Sequence, residues 1–146
     1  MTGLLIDTNV ISELVRPRPN SAVVSYIAAQ ALDELFISSV TLAEIRFGIE
    51  GVAQAGRRAA LISWLDLELR PRFDGRILPV SEDVMYRWLL LVDAGRKAKH
   101  TFSQPDLIIA ATALERGLAL VTRNVKDFTL TGVRLVNPWV RQPKPD

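Results

Sequence analysis

The chain has 146 residues, 49% of them hydrophobic, with three Trp, no Cys and a single His. That length suits about one domain with one sizeable core. The missing thiols exclude a disulfide framework or thiolate metal site, lone His100 excludes a His-rich zinc site, and a net charge of +2 permits nucleic-acid binding without demanding it.

The first element is a strand. Leu4, Leu5 and Ile6 form an apolar run too short for a helix and suited to burial on both faces. It stops at Asp7-Thr8-Asn9, after which Val10, Ile11, Leu14 and Val15 recur at helical spacing. Two prolines in Arg16-Pro-Arg-Pro19 end that helix, and Asn20 or Ser21 can cap a second one carrying Val23, Val24, Tyr26, Ile27 and Leu32. Leu35 to Ser38 reads as a second buried strand. Thr41 is expected to open a third helix, and a fourth should run from about Arg57 to Leu69 and stop near Pro71.

Asp74-Gly75 is a turn, and Arg76 to Val80 reads as a strand that Pro79 places at or near an edge. Ser81-Glu82-Asp83 starts a fifth helix that ends in the basic Arg96, Lys97 and Lys99. Ser103-Gln104-Pro105-Asp106 starts another, with Pro105 expected at its first position. That helix is apolar nearly all round and should be buried as far as Gly117. Leu118 to Val121 is a fourth strand, Thr122 to Phe128 a turn or short helix, and Val133 to Val136 a last strand. Alternating strands and helices predict one α/β domain, a parallel sheet covered on both faces, over residues 1–137. Residues 138–146, rich in Pro and charge, are expected to form a loose tail.

Four carboxylates stand out by position. Asp7 ends the first strand, Glu44 lies in the first turn after the second, Asp106 in the first turn of the buried helix, and Asp127 just beyond the fourth strand. Each has a structural alternative. Asp7 can cap its helix, Thr41-Leu-Ala-Glu44 fits a capping box, Asp106 suits a helix dipole, and Asp127 can cap its own loop. Yet strand ends and helix starts of such a sheet converge on one edge. Four acids there repel one another unless some are neutral or a cation joins them. Oxygen ligands without Cys or His select Mg2+ or Mn2+, with Asn9 and Asn124 as neutral additions. Such a site serves phosphodiester hydrolysis by metal-activated water. No thiol nucleophile, GxSxG elbow or P-loop offers another route.

Together L-L-I-D7-T-N, S-S-V-T-L-A-E44-I-R-F-G, P-D106-x-x-I-A-A and V-T-R-N-x-x-D127-F resemble the PIN-domain ribonuclease toxins of VapC type, in their FitB-like branch. The likeness spans nearly the whole chain, down to V-x-x-V-N-P-W139. It implies a three-layer α/β/α fold around a mostly parallel sheet of four to five strands. It also implies Mg2+- or Mn2+-dependent endoribonuclease activity, a cognate antitoxin that blocks the site, and a homodimer. Family roles fall on Asp7, Glu44 and Asp106 as metal ligands and on Asp127 as the fourth acid, with Asn124 and Thr122 as alternatives in that loop and Thr8 and Asn9 in support.

Two rival enzymes fit less well. Dehalogenase-like phosphatases want a second Asp where Asn9 stands, and receiver domains want a Lys that Thr122-Arg123-Asn124 does not supply. A catalytically silent PIN-like regulator, binding RNA or protein, would be expected to have lost an acid, and all four are present. Arg96, Lys97 and Lys99, with Arg123 and Lys126, are candidates to hold RNA phosphates, although cations at a helix end also complement its dipole. Apolar residues of the second and fifth helices or their neighbours, with Trp64, Trp88 and Leu89, are candidates for a dimer interface. No apolar run reaches membrane-span length and Met1-Thr2-Gly3 lacks signal-peptide character, so a cytoplasmic location is expected.

Overall fold

The computed structural model describes residues 3–141. Five strands form one sheet in the order β3-β2-β1-β4-β5, where β1 is Leu4–Ile6, β2 Leu35–Ser38, β3 Ile77–Leu78, β4 Ala119–Val121 and β5 Leu135–Val136. Every pairing is parallel, with Leu4 opposite both Leu35 and Ala119. Parallel neighbours need crossover connections, and helices supply them on both faces. β1 is central and wholly buried, as its unbroken apolar run predicts.

Successive side chains of β1 feed opposite layers. Leu4 and Ile6 join a core with Val10 and Ile11 of α1 (Thr8–Leu14), Val23 of α2 (Ser21–Ala28), and Leu42, Ile45 and Ile49 of α3 (Ser39–Glu50). Leu5 joins the other core, with Val84 and Leu91 of α6 (Glu82–Lys97) and Leu107, Ile109 and Ala113 of α7 (Gln104–Arg116). In β4, Ala119 and Val121 serve the first core and Leu120 the second. The result is the expected α/β/α stack.

Several boundaries differ from expectation for local reasons. α3 opens at Ser39 because the Ser38 hydroxyl accepts from the Val40 amide, so the helix starts before Thr41. Leu32 leaves α2 and lies in a 3-10 turn, Leu32–Glu34. Helix α4 (Ala55–Trp64) leads to an end near Pro71, as expected, but by an unexpected route. It continues through a π turn, Leu65–Leu69, into α5 (Arg70–Arg72), because the Arg70 amide bonds back to the Leu65 carbonyl. That wider turn carries the chain past a residue with no N–H to give. Gln104 precedes Pro105 in α7, which puts the proline at the second position rather than the first.

Other ends fall where the sequence puts them. Ser81 caps α6 and Gly117, at φ 66°, closes α7 in the left-handed conformation. The loop after β4 folds into a short helix, α8 (Val125–Phe128). Of the stretch expected to be a tail, Pro138 is buried and Trp139 packs against the first core, while 142–146 lie outside the described residues.

Candidate active site

Because the sheet is all parallel, the carboxyl ends of β1, β2 and β4 open on one edge, and the acids gather there. Asp7 is the N-cap of α1 and only 2% exposed. One of its oxygens accepts from the Thr8 amide at 2.8 Å. The other accepts from the Thr122 hydroxyl at 2.7 Å and from the Asn9 side-chain amide at 3.3 Å. Asn9 is held in that orientation because its carbonyl accepts from the Arg123 amide. Thr122, fully buried, also accepts from the Asn124 amide, so the loop after β4 is tied to the end of β1.

Glu44 takes no part in a capping box. It lies more than a turn inside α3 and accepts from the Thr8 hydroxyl at 2.8 Å. A second contact, 3.1 Å, joins the hydroxyls of Thr8 and Thr41. A hydroxyl has one proton to give. Thr41 therefore donates to Thr8, and Thr8 to Glu44. Thr41 escaped the sequence reading as a site residue; its spacing of three from Glu44 was a visible signal, but one that points equally to a cap.

Asp106, half-buried on the first turn of α7, and Asp127, exposed on α8, accept no hydrogen bond from the described residues. They join the group through charge. Burial and then the neighbouring charges of Asp7, Glu44 and Asp127 push the Asp106 carboxyl up to about 6. Burial likewise raises Asp7; its bonds from Thr122 and Thr8 pull it back, and Glu44 pushes it up again. Among the described residues no three such side chains stand in a ready-made metal cage. What the edge has instead is an oxygen-only donor set and a carboxyl that keeps its proton to about pH 6, the mark of a place that favours added positive charge.

The candidate phosphate-binding cations lie on two segments. Arg123 and Lys126 share the loop and short helix that carry Asp127, and Arg123 lies over the Trp139 ring at 5.1 Å. Arg96 and Lys97 end α6, with Lys97 paired to Asp93 at 2.9 Å in the open, and Lys99 follows in the turn toward α7. Exposed pairs of that kind are worth little and exchange readily.

The PIN domain model matches residues 4–131, taking in all four acids. The chain belongs to the PIN-domain family. Within it, the chain is 35% identical to VapC ribonuclease Y4jK of Sinorhizobium fredii, over 93% of this chain and 97% of the relative. Among solved structures it is similar to FitAcB from Neisseria gonorrhoeae, with a TM-score of 0.90 and 34% identity over 93% of this chain and 98% of that one. A toxin–antitoxin complex from Klebsiella pneumoniae is also similar, with a TM-score of 0.65 and 30% identity over 93% and 98% of the two chains. The PIN fold and family anticipated from the four acidic motifs are thus those of this chain.

Proposed function

We propose that this chain is an Mg2+- or Mn2+-dependent endoribonuclease, the toxin of a toxin–antitoxin pair, acting in the cytoplasm. The observation that carries the reading is the acid edge: Asp7, Glu44, Asp106 and Asp127 sit at or just beyond the carboxyl ends of one all-parallel sheet, and burial, followed by the charge of the other three, raises Asp106. Relatives of the same family bear the names ribonuclease and toxin–antitoxin complex, which supports the same reading. No helix of the described residues is long and apolar enough to cross a membrane.

Asp7, Glu44, Asp106 and Asp127 hold the cation in this reading. When bound, such an ion makes hydroxide available near neutral pH and offsets charge on the phosphate oxygens. The chain's own residues do the rest. Thr122, Asn9 and the Thr8 amide fix Asp7, and the Thr41–Thr8 relay fixes Glu44. Asn124 is the N-cap of α8, and its backbone amide ties that loop to Thr122. Arg96, Lys97, Lys99, Arg123 and Lys126 hold RNA phosphates on either side of the acids.

Two protein partners complete the proposal. An antitoxin segment occupies the groove of about 670 Å³ between α1, α2 and the π turn, where apolar Leu14, Ile27, Trp64 and Phe73 line it beside the charged Glu68 and Arg72. A second copy of the chain covers Tyr86, Leu89 and Leu90, exposed together on α6, so light scattering should find twice the 16.2 kDa mass.

The deciding experiment incubates the purified chain with single-stranded RNA and Mg2+. Cleavage should stop with chelator and leave 5′-phosphate and 3′-hydroxyl ends, since the acids come with no His pair to recruit the 2′-hydroxyl. Metal-independent cleavage, or 2′,3′-cyclic phosphate ends, overturns the proposal.

A further inference from the structure

The corner where α6 gives way to α7 has a backbone that its sequence does not favour. The His100 amide bonds back to the Gly95 carbonyl at 2.8 Å and the Lys99 amide to the Arg96 carbonyl at 3.1 Å. That closure requires a left-handed residue between them, a position that glycine normally takes. Lys99 takes it instead, at φ 56°, the one non-glycine residue with positive φ among those described. Gly75, Gly117 and Gly132 hold the other three such positions, and Gly117 does the equivalent work at the end of α7. Strain that the chain avoids elsewhere is kept here on a lysine, and strain of this kind collects at binding sites.

A small cleft lies at the same corner. It has a volume of about 210 Å³ and is lined by Arg96, His100, Thr101, Phe102, Gln104 and Leu107, among others. That is below the roughly 300–1,000 Å³ of clefts that bury whole drug-sized ligands, and it suits one planar ring. Its aromatic wall is built deliberately. A Cβ on Gly95 would come within 2.7 Å of the Phe102 ring, so the glycine is what lets that ring lie on the backbone of α6. His100 packs against Phe102 edge to face, with ring centres 4.4 Å apart.

A polar wall stands beside it. The Trp88 indole N–H donates to the Gln104 side-chain carbonyl at 3.0 Å. This orients the amide and leaves its two N–H donors without partners among the described residues. Gln104 and Leu107 share the first turn of α7 with Asp106, so the cleft adjoins the acid edge within about one 5.4 Å turn.

We propose that this cleft is a nucleotide subsite: one base of a single-stranded RNA rests against His100 with its edge read by Gln104, while Lys99 and Arg96 hold the adjoining phosphate. The proposal rests on the ribonuclease reading and adds to it a source of sequence preference. Stacking is the part every base shares, and the amide of Gln104 is the part that selects among them.

Lys99→Gly gives a test in which structure and binding move in opposite directions. Glycine relieves the backbone, so thermal stability should hold or rise. Affinity for a short single-stranded RNA of randomised sequence should fall, and the slope of log affinity against log salt should flatten by about 0.7, the share of one phosphate contact on a single strand. His100→Ala should weaken the same RNA by about 5- to 150-fold, the range for loss of one stacked base. Gln104→Glu keeps an acceptor for Trp88 but removes the donors, and should change which sites the protein cuts. If the wild-type chain cuts RNA, yet the lysine variant keeps its affinity and salt slope and the other two keep the wild-type affinity and cutting pattern, the subsite is wrong and the ribonuclease reading stands. If the wild-type chain neither binds nor cuts RNA, both fall together.

Discussion

The two halves of the acid edge are built differently. Asp7 accepts three hydrogen bonds, one from the Thr8 amide and two from the anchored side chains of Thr122 and Asn9, and Glu44 accepts one from the Thr8 hydroxyl. Asp106 and Asp127 accept none from the described residues, and only their places on α7 and α8 set them. Both arrangements face the same repulsion, because Asp106 feels the charge of all three others. The first half is preorganised whether or not a cation is present. The second is positioned only as well as a helix start positions a side chain, so its final geometry is left to the ligand. The chain thus places two buried threonines, Thr41 and Thr122, behind one pair of acids and leaves the other pair adaptable.

The largest effect should come from Asp7→Asn, which tests whether the locked half is functional at all. The amide keeps an acceptor for the Thr8 N–H but gives up the charge. Changing a group that merely supports a ligand typically costs about 10–100-fold in activity, so loss of the ligand itself should exceed about 100-fold. Stability of the metal-free protein should change little, because relief of a buried charge whose pKa burial has raised offsets the loss of the oxygen that accepts from Thr122 and Asn9. A variant that cleaves RNA within a few fold of wild type would reduce Asp7 to a helix cap.

Thr122→Val comes next and sharpens the comparison by loosening the lock without touching an acid. It removes the 2.7 Å donor to Asp7 while keeping the buried shape. Metal-dependent cleavage should drop by about 10–100-fold. Stability should drop by about 1–3 kcal/mol, because buried Asp7 loses a donor and the Asn9 and Asn124 N–H groups lose an acceptor. Lowered stability with untouched cleavage would mean that the lock serves only the fold.

How legible each half was follows from the same contrast. Apolar runs and caps exposed the sheet and the helix starts: Leu4 to Ile6 could only be a buried strand, and Asn20, Ser81 and Ser103 sit where helices begin. The acids were legible because parallel topology sends strand ends to one edge. The tie from Thr122 to Asp7 spans 115 residues and leaves no local trace. Nor does the Thr8–Glu44 bond, whose partners are 36 apart, so Thr41-Leu-Ala-Glu44 read as a cap. The π turn was hidden for another reason. Pro71 signals a stop to any local rule, and only packing of Leu65, Leu69 and Phe73 into the first core shows why the chain keeps its helical path.

The smallest effect concerns the adaptable half and is read as stability against pH. Folded, Asp106 holds its proton to about pH 6, against an ordinary value of 3.8. Between those values the native chain binds more protons than the unfolded one, so stability falls as pH rises through that window. The contribution is full below 3.8 and gone above about 6, and Asp7, also raised, adds to it with the same sign. Asp106 is half exposed, so solvent screening keeps the effect modest. In the metal-free protein, Tm should decline across this window, and Asp106→Asn should flatten the decline without removing the part due to Asp7. Mg2+ or Mn2+ binds the ionised acids, so its stabilisation should grow over the interval in which the proton is lost. A Tm profile that is level across the window in wild type and variant alike would mean that neither burial nor the other three acids perturb Asp106, and the four acids would then be neighbours along an edge without forming one site.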